Sequence, residues 1–79
     1  MRKRRVVAIT GGTRGIGAAI RDIFVDRDYS VAICSREIPE TLSEDVLHCA
    51  VDVQNKDEVS DFVESVVDHF GTLDVFINN

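Results

Sequence analysis

Positive charge is in short supply in this chain. Nine Lys and Arg face fourteen Asp and Glu, leaving a formal net charge of -5. Nucleic-acid binders present a basic face to phosphates, so nucleic acid drops out as a partner class. The one basic cluster, Arg2-Lys3-Arg4-Arg5, reads as a solvated entry to the apolar run behind it. Long apolar runs are missing too. None approaches the ~20 residues of a membrane span, so a membrane drops out as well. The run after the basic cluster breaks at Thr10-Gly11, too early for the core of a signal peptide. Cysteine occurs twice, as Cys34 and Cys49, each inside an apolar run and with His48 beside only one. Without CxxC spacing or a second ligand pair, a zinc site is disfavoured. Two reduced core thiols suit a cytoplasmic compartment. Neither His48 nor His69 has a nucleophile or acid at a useful sequence spacing, which argues against a histidine-based catalytic centre. There is no internal repeat and no low-complexity segment.

What is plentiful is material for a core. Hydrophobic residues make up 44% and charged residues 29%, the balance of a soluble folded domain. Seventy-nine residues make one small domain. Ordering each residue costs on the order of 1.5 kcal/mol, and burial at this length roughly cancels that. Independent folding therefore sits near balance.

The apolar residues alternate between two periods. Val6 to Thr10 is a short β-branched run, suited to a strand buried on both faces. Ile16, Ala19, Ile20, Ile23 and Phe24 fall at helical spacing, which predicts a helix over about Gly15 to Arg27 with these residues on its packed face. Ser30 to Cys34 is a second continuous strand. Pro39 to Asp45 fits a short helical turn, with Pro at its start. Leu47 to Val51 makes a third strand. Val59, Phe62, Val63, Val66, Val67 and Phe70 form the cleanest helical stripe, with Asn55 and Glu58 at N-cap and N3 spacing and Gly71 at C′. Leu73 to Ile77 is a fourth strand. Strands separated by helical crossovers imply an α/β architecture with a parallel sheet. Right-handed crossovers give the order 3-2-1-4, the first half of a doubly wound Rossmann fold. The fourth strand is then an apolar edge, open to pairing with another chain or a second copy.

The most telling segment is Thr10-Gly11-Gly12-Thr13-Arg14-Gly15-Ile16-Gly17. It sits between a strand and a helix. Glycines there let a ligand approach the backbone, and the helix N-terminus favours phosphate. The spacing of Gly11, Gly15 and Gly17 is G-x-x-x-G-x-G, not the usual dinucleotide G-x-G-x-x-G. A P-loop fails because no Gly-Lys-Ser/Thr follows. With Gly12 added, the glycines exceed what a tight turn that binds nothing requires.

Three motifs taken together resemble the short-chain dehydrogenase/reductase family: Thr10-Gly-x-x-x-Gly-x-Gly17, the Asp52-Val53 pair after strand three, and Asn78-Asn79 after strand four. The general look is that of its 3-oxoacyl-carrier-protein-reductase-like members. The resemblance covers the chain in order and implies a partial NAD(P)-binding Rossmann domain over residues 1–79. It implies that Gly11, Thr13, Arg14, Gly15, Ile16 and Gly17 hold the adenosine-side phosphates of a dinucleotide. It also implies that Asp52 accepts from the adenine amino group beside Val53. Asn78 would brace the sheet near the adenosine.

The strand-two terminus bears on which dinucleotide. An acid there would bind an NAD ribose and repel a 2′-phosphate. This chain has Ser35, followed by Arg36, with Arg14 in the glycine turn. A guanidinium fork suits a phosphate, and a serine hydroxyl can add a hydrogen bond. The expectation is NADP rather than NAD.

There are departures from the family. Asp28 stands where the family usually has Gly, at a left-handed helix cap. The segment between strands two and three is short. The catalytic Ser, Tyr and Lys that the resemblance implies have no counterparts. Tyr29, the one tyrosine, lacks the Tyr-x-x-x-Lys context. The expectation is an N-terminal part with no catalytic residues, which binds cofactor but is inactive alone. The alternative is a stand-alone nucleotide-binding or interaction module.

Overall fold

The computed structural model describes residues 4–37 and 46–79. Six elements follow in order: β1 (Val6–Thr10), α1 (Gly15–Asp26), β2 (Ser30–Ser35), β3 (Val46–Ala50), α2 (Lys56–Phe70) and β4 (Val75–Ile77). The helical turn expected at Pro39 to Asp45, and Arg2 and Lys3 of the basic cluster, lie outside the described residues.

All strands are parallel, in the order β3-β2-β1-β4. The predicted α/β sheet order is the observed one. β1 is central and entirely buried, which explains its unbroken β-branched sequence. Alternate side chains serve opposite faces. Val6, Ala8, Ala32 and Cys34 pack with Phe62 and Val66 of α2. Val7, Ile9, Val31 and Ile33 pack with Ile20, Phe24 and Val25 of α1. Each fully buried Val, Ile or Phe contributes about 1.5–3 kcal/mol of transfer free energy. Asp74 fastens the entry to β1: its carboxylate accepts from the Val6 N–H at 2.8 Å, and its own N–H donates to the Val6 carbonyl at 3.0 Å.

The packed face of α1 differs from the expected one. Ile20 and Phe24 face the sheet, but Ile16 and Ile23 are 75% and 51% exposed, and Ala19 is exposed. Gly17 causes this. It is the buried residue of the helix, seated against the Gly11 carbonyl. That contact fixes the helix rotation. Residues three and seven further on then face the sheet, while Ile16, Ala19 and Ile23 turn about 100° or more away.

The helix ends match their sequence signals. Asp28 has a φ of 64°, alone among the described non-glycine residues in lying in the left-handed region. The Tyr29 N–H reaches the Phe24 carbonyl at 3.0 Å, and the Asp28 N–H reaches Val25 at 3.1 Å. This is a Schellman cap, and the Phe24 and Tyr29 rings meet edge-on at 4.7 Å as its apolar contact. Asn55 caps α2 by accepting from the Asp57 and Glu58 N–H groups at 3.0 and 3.3 Å, and Gly71 closes the helix at a φ of 87°. Glu58 does not complete a capping box on Asn55; its carboxylate accepts from the Asp52 N–H at 3.3 Å.

Candidate cofactor site

A parallel sheet delivers every strand's carboxyl end to one edge. The residues singled out from the sequence follow β1 (Gly11 to Gly17), β2 (Ser35, Arg36), β3 (Asp52, Val53) and β4 (Asn78), so the topology gathers them there. In open α/β sheets this edge holds ligands, at the point where crossovers run off in opposite directions. Here that point is β1, whose neighbours β2 and β4 are reached by crossovers on opposite faces.

The four glycines of the turn have two different reasons to be glycine. Gly11 and Gly15 have φ values of 71° and 64°, which side chains other than glycine rarely adopt. A Cβ on Gly12 would lie 2.4 Å from the Ile33 side chain, and one on Gly17 would lie 2.1 Å from the Gly11 carbonyl oxygen. A Cβ on Gly15 would meet nothing within 4 Å. Gly12 and Gly17 are thus packing residues. Gly15 opens the turn toward solvent at the helix mouth.

The two helix N-termini contrast sharply. That of α2 is occupied by the Asn55 side chain and by Asp57 and Glu58 in its first turn. The N-cap of α1 is Arg14, which makes no side-chain cap, and its first turn has no acid. Backbone N–H groups at the start of a helix seek an acceptor, and those of α1 sit beside exposed Arg14 and open Gly15. A pyrophosphate fits this donor set.

Arg21 was not singled out from the sequence. Its guanidinium Nη1 donates to the Gly12 carbonyl at 3.0 Å, and its side chain is 19% exposed. The peptide plane ties the Thr13 N–H to that carbonyl in the opposite direction, so Arg21 sets the pose of the turn. Nothing in the residue spacing marks it, since the bond spans helix to turn.

Thr10 ties β1 to the end of β4. Its hydroxyl donates to Asn78 Oδ1 at 3.2 Å and accepts from the Asn79 N–H at 2.9 Å. Asn78 and Asn79 thus stand against Thr10 at the carboxyl end of β1.

At the ends of β2 and β3 the polar side chains hold one another. Ser35 Oγ lies 2.6 Å from the Glu37 carbonyl and 2.8 Å from His48 Nε2. A carbonyl only accepts and a serine has one proton, so Ser35 donates to Glu37 and His48 Nε2 carries the hydrogen it shares with Oγ. His48 therefore does not act as a base toward Ser35, though the pair has the spacing of a nucleophile and its base. Burial holds the imidazole below its ordinary pKa of 6.5, which keeps the ring neutral at pH 7. Sequence spacing gives His48 no nucleophile or acid partner. The structure joins it to the site. It also spends the Ser35 proton on Glu37, so the hydroxyl expected to donate to a phosphate is engaged elsewhere.

Arg36 Nη2 stands 3.6 Å from Asp52 Oδ1, with the two side chains 68% and 42% exposed. Such a surface pair is worth under ~1 kcal/mol and yields to a competing ligand. The Asp52 carboxylate also accepts from the Gln54 N–H at 3.0 Å. Val53 is exposed beside it, an apolar surface of the kind a purine ring covers. Cys34 and Cys49 are register partners on β2 and β3, on the α2 face. Burial raises both thiol pKa values, Cys34 with a smaller opposing effect from the Gly11 N–H, so neither is a nucleophile at neutral pH. Among the described residues no cluster of three metal-binding side chains occurs, and no helix is long and apolar enough to cross a membrane.

Comparison with known proteins agrees with this geometry. The family model described as short chain dehydrogenase matches residues 5–79. The 3-oxoacyl-(acyl-carrier-protein) reductase of Staphylococcus aureus is 34% identical over 89 residues, covering 100% of this chain and 36% of that protein. The aldohexose dehydrogenase of Thermoplasma acidophilum superposes with a TM-score of 0.88 at 32% identity, covering 98% of this chain and 29% of that one. The protein ElxO with NADP bound superposes with a TM-score of 0.86 at 32% identity, covering 96% of this chain and 34% of that one. The chain thus spans well under half the length of these relatives.

Proposed function

The chain belongs to the short-chain dehydrogenase family, and on that footing we propose that it binds a dinucleotide cofactor, NADP in preference to NAD. The observation that carries the proposal is the contrast between the helix mouths: α2 is capped by its own side chain and acids, while α1 is glycine-lined, cationic and uncapped. Thr13, Arg14, Gly15, Ile16 and Gly17 hold the pyrophosphate through backbone N–H groups, while Gly11, whose own N–H donates to the Cys34 carbonyl at 2.8 Å, shapes the turn beneath it. Arg14 and Arg36 meet the 2′-phosphate, Arg36 leaving Asp52 to do so. Asp52 and Val53 then take the adenine, with Asn78 bracing the strand end beside it. Support for NADP comes from Ser35, which replaces the acid that would repel a 2′-phosphate, and from the high exposure of Arg36.

When bound, such a cofactor supplies hydride transfer to or from a carbonyl or alcohol. The residues described here contribute binding. Tyr29 is the one tyrosine; it packs on Phe24 in the α1 cap, remote in role from any proton transfer. The 79-residue chain by itself is proposed to bind cofactor without reducing carbonyls. Calorimetric titration tests the phosphate preference. Adenosine 2′,5′-bisphosphate binds more tightly than 5′-AMP, and Arg36→Asp reverses the order. Equal affinities for the unsubstituted chain refute the 2′-phosphate assignment.

A further inference from the structure

We infer that His48 is a positioning residue for phosphate selectivity: it holds Ser35 so that Ser35 locks the Arg36-Glu37 bend and aims Arg36. The inference rests on the 2′-phosphate reading of Arg36 given above. It grows from the hydrogen-bond balance at the ends of β2 and β3. Ile33 pairs with His48 and Ser35 with Ala50 in the parallel register, so Ser35 and His48 are diagonal neighbours. His48 alternates with Cys49 and shares the α1 face with Val46. Its Nε2–H meets Oγ at 2.8 Å, and the Ser35 proton meets the Glu37 carbonyl at 2.6 Å. Oγ thus bridges the imidazole on β3 and the Glu37 carbonyl past the end of β2, each contact fixing it from one side. The side chain thus loops back over Arg36, whose backbone lies inside the closed turn.

The consequence is a division of labour. Ser35, with its proton donated to Glu37, offers an incoming phosphate neither a donor nor a charge. It acts as the joint of the bend. Arg36 carries the charge, and half-buried His48 fixes the joint from the neighbouring strand. A loosened bend leaves Arg36 charged but spread over more orientations, which weakens a directed guanidinium–phosphate contact more than it weakens the fold.

The experiment uses the whole chain and two probes, adenosine 2′,5′-bisphosphate and 5′-AMP, by isothermal titration calorimetry. His48→Leu removes the donor, His48→Gln keeps an N–H donor at similar reach, and Ser35→Ala removes the joint from the other side. The expected result is a loss of about three- to tenfold in bisphosphate affinity for His48→Leu and Ser35→Ala, the range of one hydrogen bond. His48→Gln restores it, and 5′-AMP affinity stays at the unsubstituted level throughout. If His48→Leu and Ser35→Ala keep the full preference, the inference is overturned while the 2′-phosphate reading stands. A parallel loss for both probes also overturns it, because that is the mark of a merely structural histidine. If the unsubstituted chain shows no preference, the underlying reading fails and takes the inference with it. Ser35→Ala leaves the β3 side chain untouched, so it decides the matter should His48→Leu fail to fold.

Discussion

Alanine substitution at Gly17 and Gly15 separates the two roles of the turn. At Gly17 an added methyl lies 2.1 Å from the Gly11 carbonyl oxygen, 2.9 Å from its carbon and 2.7 Å from Asn79 Nδ2. Two of these are backbone atoms, and the first is more than an ångström short of ordinary contact. The helix must lift off the turn. Overpacking of this kind costs about 3 kcal/mol, offset by about 1 kcal/mol of helix propensity. The net loss of about 2 kcal/mol lowers Tm by roughly 8–16 °C in a domain this small. At Gly15 the methyl meets nothing, and the penalty is the left-handed backbone alone, about 1–2 kcal/mol. Reduced freedom of the unfolded chain returns about 0.4–1 kcal/mol of that, so Tm falls by only a few degrees. Gly15→Ala nevertheless fills the space at the helix mouth and abolishes NADP binding in the folded protein. Melting by circular dichroism and titration with NADP read the two effects separately. If Gly17→Ala melts no lower than Gly15→Ala, the packing role is refuted. If folded Gly15→Ala binds NADP like the unsubstituted chain, the helix mouth is not the phosphate site.

Two further outcomes are expected. Asp28→Gly relieves the left-handed strain at the α1 cap and raises stability by about 0.5 kcal/mol after glycine's own entropy cost, read as a small rise in the urea midpoint; a fall contradicts the cap assignment. The lowered pKa of His48 makes the folded state reluctant to take a proton that the unfolded chain binds near pH 6.5. Stability is therefore lost as pH falls from about 6.5 to the lower folded value, and no further below it. His48→Gln should flatten that segment of a Tm–pH curve; an unchanged slope assigns the acid sensitivity to other groups.

Much of this architecture was legible in the sequence because its signals are local. Continuous β-branched runs marked strands buried on both faces. Asn55, Gly71 and Asp28 marked helix ends by chemistry that acts within a few residues. The sheet order followed from crossover handedness. The packed face of α1 is not legible this way: hydrophobicity points to Ile16 and Ile23, whereas the close approach of Gly17 to the Gly11 carbonyl sets the rotation. The role of Gly12 was hidden likewise, since its neighbour is Ile33 on another strand. The Ser35–His48 pair needs the β2–β3 register, thirteen residues apart in the chain, and the Arg21 bond to Gly12 needs the turn's shape. In each case the missing information was a contact between elements, which spacing alone does not carry.

We propose that this glycine turn and its two arginines select a 2′-phosphorylated dinucleotide. Titration of the folded chain with NADP and with NAD at one ionic strength tests it most directly. A charge-assisted phosphate contact is worth about 1.5–3 kcal/mol, so NADP should bind at least about tenfold more tightly. Equal affinity, or a preference for NAD, removes the 2′-phosphate role of Arg14 and Arg36.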